Sequence, residues 1–237
     1  MIHKIVSFYQ TDLPQEIVSL QKRVFNHFDL DVEQIGWDGQ KARHTGAIQG
    51  YLDTHFDYDF ISLFDVDCFP TSKNWLKKTI DIISDQNTVY GNAQASNVFP
   101  DINPYRTPPF VNGGVFNMSY KVWSNSSFKS VHAQMYPNPD GNLAEADGYE
   151  ALTRELEKRG RRIVLSYPTY CPTDHTWKYG GGFGYPPFSY GNGTEYDSDT
   201  FHNFQIRIPD KRIHFLKRSK SILGEIFNIE EYEHILT

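Results

Sequence analysis

The sequence predicts an α/β protein: one domain whose mostly parallel sheet is flanked by helices. Three observations predict it. The chain opens strand, helix, strand, which in one sheet requires parallel strands joined by a right-handed crossover. Apolar runs of strand length then alternate with helical periodicity through the first half. With 237 residues the chain is long enough for one sizeable core.

The elements follow in order. Lys4 to Tyr9 reads as a first strand, and Pro14 opens a helix whose apolar face is Ile17, Val18, Leu20, Gln21, Val24 and Phe25. Leu30 to Ile35 reads as a strand, Ala42 to His55 as a helix, Phe60 to Phe64 as a buried strand and Trp75 to Ile83 as a helix. Thr88 to Tyr90 is a short strand, and the proline-rich stretch from Ala95 to Pro109 is a loop. Phe110 to Met118 is a strand interrupted by Gly113 and Gly114, where a ligand or another backbone can come close. Leu143 to Arg159 reads as a helix ending at Gly160, and Arg162 to Leu165 as a strand. From Pro172 to Asn203 the chain reads as one long aromatic loop around Gly180 to Pro187, closer to a substrate cover than to a linker.

Composition excludes several classes. A hydrophobic fraction of 39% and the lack of any bilayer-length apolar run predict no membrane span. Met1 to Val6 runs straight into a strand pattern with no leader-like segment, so an unprocessed cytoplasmic protein is expected. The formal charge of -6 argues against general nucleic-acid binding, although Lys211, Arg212, Lys217, Arg218 and Lys220 make a local cationic segment sufficient for a diphosphate. Cys68 and Cys171 form neither a metal-ligand spacing nor a disulfide framework. Aromatic residues reach 15% and many lie in polar, Gly-rich surroundings, as rings that stack on sugar faces would.

The most informative junction is Phe60 to Pro70, where a strand-like run ends in Asp65 and Asp67, one residue apart. Pro70 cannot continue a ladder, so the pair belongs at a sheet edge open to solvent, where α/β sheets bind ligands. Adjacent carboxylates repel unless a cation neutralises them, and hard oxygen donors suit Mg2+ or Mn2+, with a nucleoside diphosphate completing the shell. Aspartates also serve as turn and cap residues, but Thr71 and Ser72 already offer caps.

With this junction, the β-α-β opening and the Asn112-Gly113-Gly114 strand, the chain resembles a GT-A glycosyltransferase, a Rossmann-like single domain. The resemblance implies 1–237 as one domain, with 1–110 as the nucleotide-sugar half and 111–237 as the acceptor half with its closing segment. It implies that Asp65 and Asp67 hold a divalent metal, Mn2+ or Mg2+, against the phosphates of a nucleotide-diphosphate sugar. Retaining members, including bacterial galactosyltransferases and glycogenin, carry a C-terminal H-x-x-G-x-x-K segment. His214 and Lys220 keep that spacing with Lys217 in place of the glycine, which implies His214 as third metal ligand and Lys220 as a diphosphate contact. His202 is the rival ligand.

The same resemblance implies that Asp147, with Glu145, acts beside the reacting sugar, although both also suit a helix N-terminus. Phe8, Tyr9 and Gln10 would border base and ribose, with Tyr9 able to stack on uracil, and Arg43 would touch the donor. Asn112, Gly113 and Trp177 would face the acceptor, a saccharide or other hydroxyl compound. Metal and Lys220 would stabilise the leaving diphosphate. Asp147 would deprotonate the acceptor in an inverting route or stabilise the sugar cation in a retaining one. Two alternatives stand beside this: a haloacid-dehalogenase-like phosphohydrolase, whose nucleophile also sits in D-x-D after a strand, and a non-catalytic glycan-binding protein. A sugar nucleotidyltransferase would need a Gly-rich loop after the first strand, and Tyr9 to Leu13 has no glycine.

Overall fold

A computed structural model describes residues 1–41, 43–94, 109–124, 135–137, 143–145, 148–172 and 191–237. In order these form β1 (His3–Gln10), α1 (Gln15–His27), β2 (Glu33–Trp37), α2 (His44–Leu52), β3 (Phe60–Asp65), β4 (Cys68–Pro70), α3 (Trp75–Ile83) and β5 (Thr88–Gln94). Then come β6 (Phe110–Ser119), α4 (Tyr120–Ser124), β7 (Met135–Pro137), β8 (Leu143–Glu145), α5 (Gly148–Lys158) and β9 (Arg162–Ser166). The last are β10 (Pro168–Tyr170), β11 (Thr194–Tyr196), β12 (Thr200–His202), α6 (Ile213–Ile222) and α7 (Glu233–Leu236).

The main sheet has six strands in the order β2-β1-β3-β6-β5-β9. β1 pairs in parallel with β2 and β3, and β5 with β9, as the α/β pattern requires. β6 runs antiparallel to both its neighbours, so the sheet is mostly and not wholly parallel. Period-two alternation sends Val6 and Phe8 of β1 and Ile61 and Leu63 of β3 into one core layer with α2 and α5. Ile5 and Phe64 go to the opposite layer, with α1, Trp75 of α3 and Phe215 of α6. Helices thus cover both faces, and every member of the apolar face read for α1 is buried, Gln21 included.

A second sheet of four strands, β10-β11-β12-β4, abuts the first. β3 leads into β4 through Val66 and Asp67, so this two-residue turn carries the chain from one sheet to the other. Phe69 of β4 stacks on Phe201 of β12 and meets Phe215 edge-on, which ties the small sheet to α6.

Three expectations are corrected. Leu143 to Glu145 is a strand paired antiparallel with β7, not the start of the following helix, because cross-strand pairing overrides the helix propensity of Leu, Ala and Glu. The stretch to Asn203, read as one loop, contains β11 and β12, which pair with each other, β12 pairing also with β4. The second strand starts at Glu33 and not at Leu30, and Leu30 and Val32 enter the core ahead of it. Trp177, Asp147 and the Gly180 to Pro187 segment lie outside the described residues.

Candidate metal and nucleotide site

β3 delivers Asp65 to its carboxyl end, and the turn that follows presents Asp67, which is 5% exposed. The corner is held from below by Gln21, whose amide donates to the Asp65 carbonyl at 3.0 Å and the Cys68 carbonyl at 2.8 Å. Gln34 donates in turn to Gln21 at 2.9 Å and to the Val18 carbonyl at 2.8 Å, so two buried or half-buried amides set the geometry of the acidic turn.

The third member comes from β12. Register pairs His202 with Cys68, and the Asn203 amide donates to the Asp67 carbonyl at 2.9 Å. His202 Nε2 therefore lies 3.3 Å from Asp67 Oδ1, with the ring 3% exposed and stacked on Phe204. Ligand atoms of Asp65, Asp67 and His202 all fall within 4.8 Å of one another. His202 Nδ1 is buried and has no hydrogen-bond partner among the described residues. Two carboxylates and an imidazole are a donor set that fits Mn2+ and accepts Mg2+, and three protein donors leave coordination positions for phosphate oxygens.

Beside the acidic pair, His44 Nε2 lies 3.2 Å from Asp65 Oδ1, and its ring stacks on Trp37 at 17°. Burial pushes the His44 imidazole down to about 4, with Asp67 pulling it up and Arg207 pressing it further down. At neutral pH His44 is thus uncharged and adds no positive charge next to Asp65.

A cleft of about 320 Å³ opens over these groups. Its rings are Phe8, Tyr9, Trp37 and Phe204, and its polar groups include Gln10, Gln94, Asn112 and Arg207. Asn112 donates to Gln94 and accepts from the Gly114 amide. The paired glycines make room for side chains: a Cβ on Gly113 would enter the Tyr149 ring, and one on Gly114 would lie 2.5 Å from His202 Nδ1.

Of the residues singled out from sequence, Phe8, Tyr9, Gln10, Asp65, Asp67 and Asn112 line this cleft; Arg43, Gly113, His214 and Lys220 do not. His214 sits on α6, its Cβ packed near Gly193. Lys220 donates to Glu225 at 2.8 Å and lies over the Tyr232 ring. Its bonds to Glu225 and Tyr232 raise its pKa against an opposing effect of burial. Both residues of the C-terminal spacing match thus lie on α6, outside the cleft lining, and the histidine beside Asp67 is His202. Glu145 ends β8 opposite Met135. Gln21, Gln34, His44 and Arg207 were missed; a glutamine inside an otherwise apolar helix face was the one signal available for Gln21.

No family model matches the sequence, and no curated protein does. Solved structures do. A mannosyltransferase from Pyrobaculum calidifontis, in complex with GDP-Man and Mn2+, matches at TM-score 0.44 and 8% identity over 99% of this chain and 67% of that one. A variant of Drosophila beta-1,4-galactosyltransferase 7, in complex with manganese, UDP-Gal and xylobiose, matches at 0.43 and 15% over 98% and 79%. A glycosyltransferase involved in glycosylation of the major capsid of PBCV-1 matches at 0.41 and 15% over 70% and 82%. A glucose-1-phosphate thymidylyltransferase from Bacillus anthracis is also among the matches. No helix among the described residues is long and apolar enough to cross a membrane.

Proposed function

We propose that the protein is a metal-dependent glycosyltransferase that moves a hexose from a nucleoside diphosphate sugar, UDP-linked, to a hydroxyl acceptor. The observation that carries this reading is the gathering of Asp65, Asp67 and His202 at the carboxyl end of a central strand, beneath a cleft lined with aromatic rings. That end of an open α/β sheet is where ligands bind, and a hard cation held by two carboxylates suits a diphosphate.

Asp65, Asp67 and His202 would hold the ion; bound there, Mn2+ or Mg2+ supplies positive charge to a leaving diphosphate. Gln21 keeps the acidic turn in place. Tyr9 and Trp37 offer ring surface to the nucleoside, and the amides of Asn112 and Gln94 offer donors and acceptors to sugar hydroxyls. Asp147, with Glu145, remains the proposed base of an inverting route or stabiliser of the sugar cation in a retaining one, on resemblance alone.

Calorimetric titration of UDP, GDP and CDP with and without Mn2+ tests the proposal. Binding of a nucleotide that requires the metal, is lost in Asp67→Asn and is followed by hydrolysis of the matching sugar donor is the expected result. Failure of all three nucleotides to bind would sink it. Phosphate release from simple phosphomonoesters, abolished by Asp65→Asn, would point to a phosphohydrolase; saccharide binding without nucleotide binding would point to a glycan-binding protein.

A further inference from the structure

The cleft carries two carboxylates, and Arg207 is the one Arg or Lys among the described residues that line it. Arg207 follows His202 on a short loop built with unusual backbone. Phe204 and Gln205 both adopt positive φ, +42° and +56°, a conformation that side chains other than glycine disfavour and that persists only where surroundings impose it. The surroundings here are specific. Asn203 donates through its amide nitrogen to the Lys211 carbonyl at 3.0 Å. The buried Arg212 gives Nε to the Ile206 carbonyl at 2.9 Å and Nη2 to the Arg207 carbonyl at 3.3 Å. The Arg207 backbone is therefore pinned from below while its side chain is not. The guanidinium makes one hydrogen bond among the described residues, Nη1 to Gln10 Oε1 at 2.9 Å, and that glutamine also lines the cleft.

Charge balance gives this arrangement a purpose. A divalent ion held by Asp65 and Asp67 would offset the two carboxylates, and Arg207 is the one Arg or Lys that the described cleft residues would offer to the negative charge of a bound diphosphate. Asp65, Asp67 and Arg207 line the same cleft, so both signs of charge face one pocket. A planar guanidinium with five donors, one of them engaged among the described residues, suits bidentate binding of phosphate oxygens. The cation expected for that task from the sequence, Lys220, is instead turned to Glu225.

We infer that Arg207 is a diphosphate-binding residue of this site, exchanging Gln10 for phosphate oxygens when a metal-bound diphosphate enters. Its nucleotide part rests on the transferase reading; its anion part does not.

The test is calorimetry on the full chain with Mn2+ alone, Mn2+ with inorganic pyrophosphate, and Mn2+ with UDP, GDP and CDP, for wild type, Arg207→Gln, Arg207→Lys and Lys220→Gln. The expected result is that Arg207→Gln weakens pyrophosphate and nucleoside diphosphate binding at least about tenfold, as loss of a charge-assisted bidentate contact does. Arg207→Lys should fall between it and wild type, because a point charge replaces a fork. Mn2+ alone should bind all four proteins equally, and Lys220→Gln should match wild type toward diphosphates. Unchanged diphosphate affinity in Arg207→Gln would overturn the inference, as would a tenfold loss in Lys220→Gln with none in Arg207→Gln. If no nucleotide binds wild type but pyrophosphate does, and Arg207→Gln abolishes it, the transferase reading fails and the anion site stands. If pyrophosphate does not bind wild type either, both fail.

Discussion

His202 Nε2 stands 3.3 Å from Asp67 Oδ1 because β12 lies antiparallel against β4, which places His202 opposite Cys68. His202 belongs to the four-stranded sheet, and Asp67 lies in the acidic turn where the chain passes into it from the six-stranded one. A metal bound at this point would be held by elements that meet only in the folded state, so its binding would also stabilise the fold.

Replacing either histidine separates the two candidate ligands. His202→Ala is expected to weaken Mn2+ binding at least about tenfold, while His214→Ala leaves it unchanged. Calorimetric titration of Mn2+ into the two variants checks this. The reverse order of effects would return the ligand role to His214.

Gln21→Met should act on stability and site together. It keeps the side-chain volume but removes the amide that donates to the Asp65 and Cys68 carbonyls. Loss of buried donors to two carbonyls should cost about 1–3 kcal/mol in urea unfolding and also lower Mn2+ affinity. Unchanged Mn2+ affinity at reduced stability would show that the acidic turn holds its shape without this clamp.

Gly114→Ala tests the close approach of β6 to the site. The added methyl would lie 2.5 Å from His202 Nδ1 and 2.8 Å from Asn112 Oδ1, so the imidazole must shift. Overpacking of this kind costs roughly 1–3 kcal/mol, and displacement of His202 should be read as weaker Mn2+ binding. A variant as stable as wild type with unaltered Mn2+ affinity would contradict the packing.

His3 supplies a pH dependence away from the site. Its Nε2 lies 2.7 Å from Ser62 Oγ, and burial holds its pKa down to about 4 from 6.5. The unfolded chain therefore takes up a proton between pH 6.5 and pH 4 that the native state refuses. Stability from this group is complete above pH 6.5 and declines as pH falls toward 4. A tenfold change in proton affinity is worth about 1.4 kcal/mol, and with partial exposure of the ring taken into account the effect is roughly 2 kcal/mol. His3→Gln should flatten the fall of Tm across that window, the comparison with wild type removing the matching contribution of His44. Parallel Tm curves for the two proteins would refute the assignment.

Much of the scaffold follows from local pattern. Residues 17, 18, 20, 21, 24 and 25 lie on the buried face of α1, as a 3.6-residue period requires, and Trp75 to Ile83 forms its helix with the limits that periodicity assigns. Asp65 and Asp67 fall at the end of a strand because an apolar run of strand length gives way to a turn there. These features are set by interactions within a few residues, so the order of residues alone reports them.

What tertiary structure alone decided is which distant side chains join that acidic turn. The match at His214 and Lys220 was a matter of spacing, but α6 packs against α1 and directs Lys220 to Glu225. His202 reached Asp67 through the pairing of β12 with β4, and Arg207 reached Gln10 through a loop pinned by Asn203 and Arg212. Strand pairing and loop anchoring of this kind depend on contacts between residues far apart in the chain. The sequence by itself determined the layered α/β scaffold and the position of the carboxylate pair; long-range register decided the company that pair keeps, because no local period encodes which strand will lie beside it.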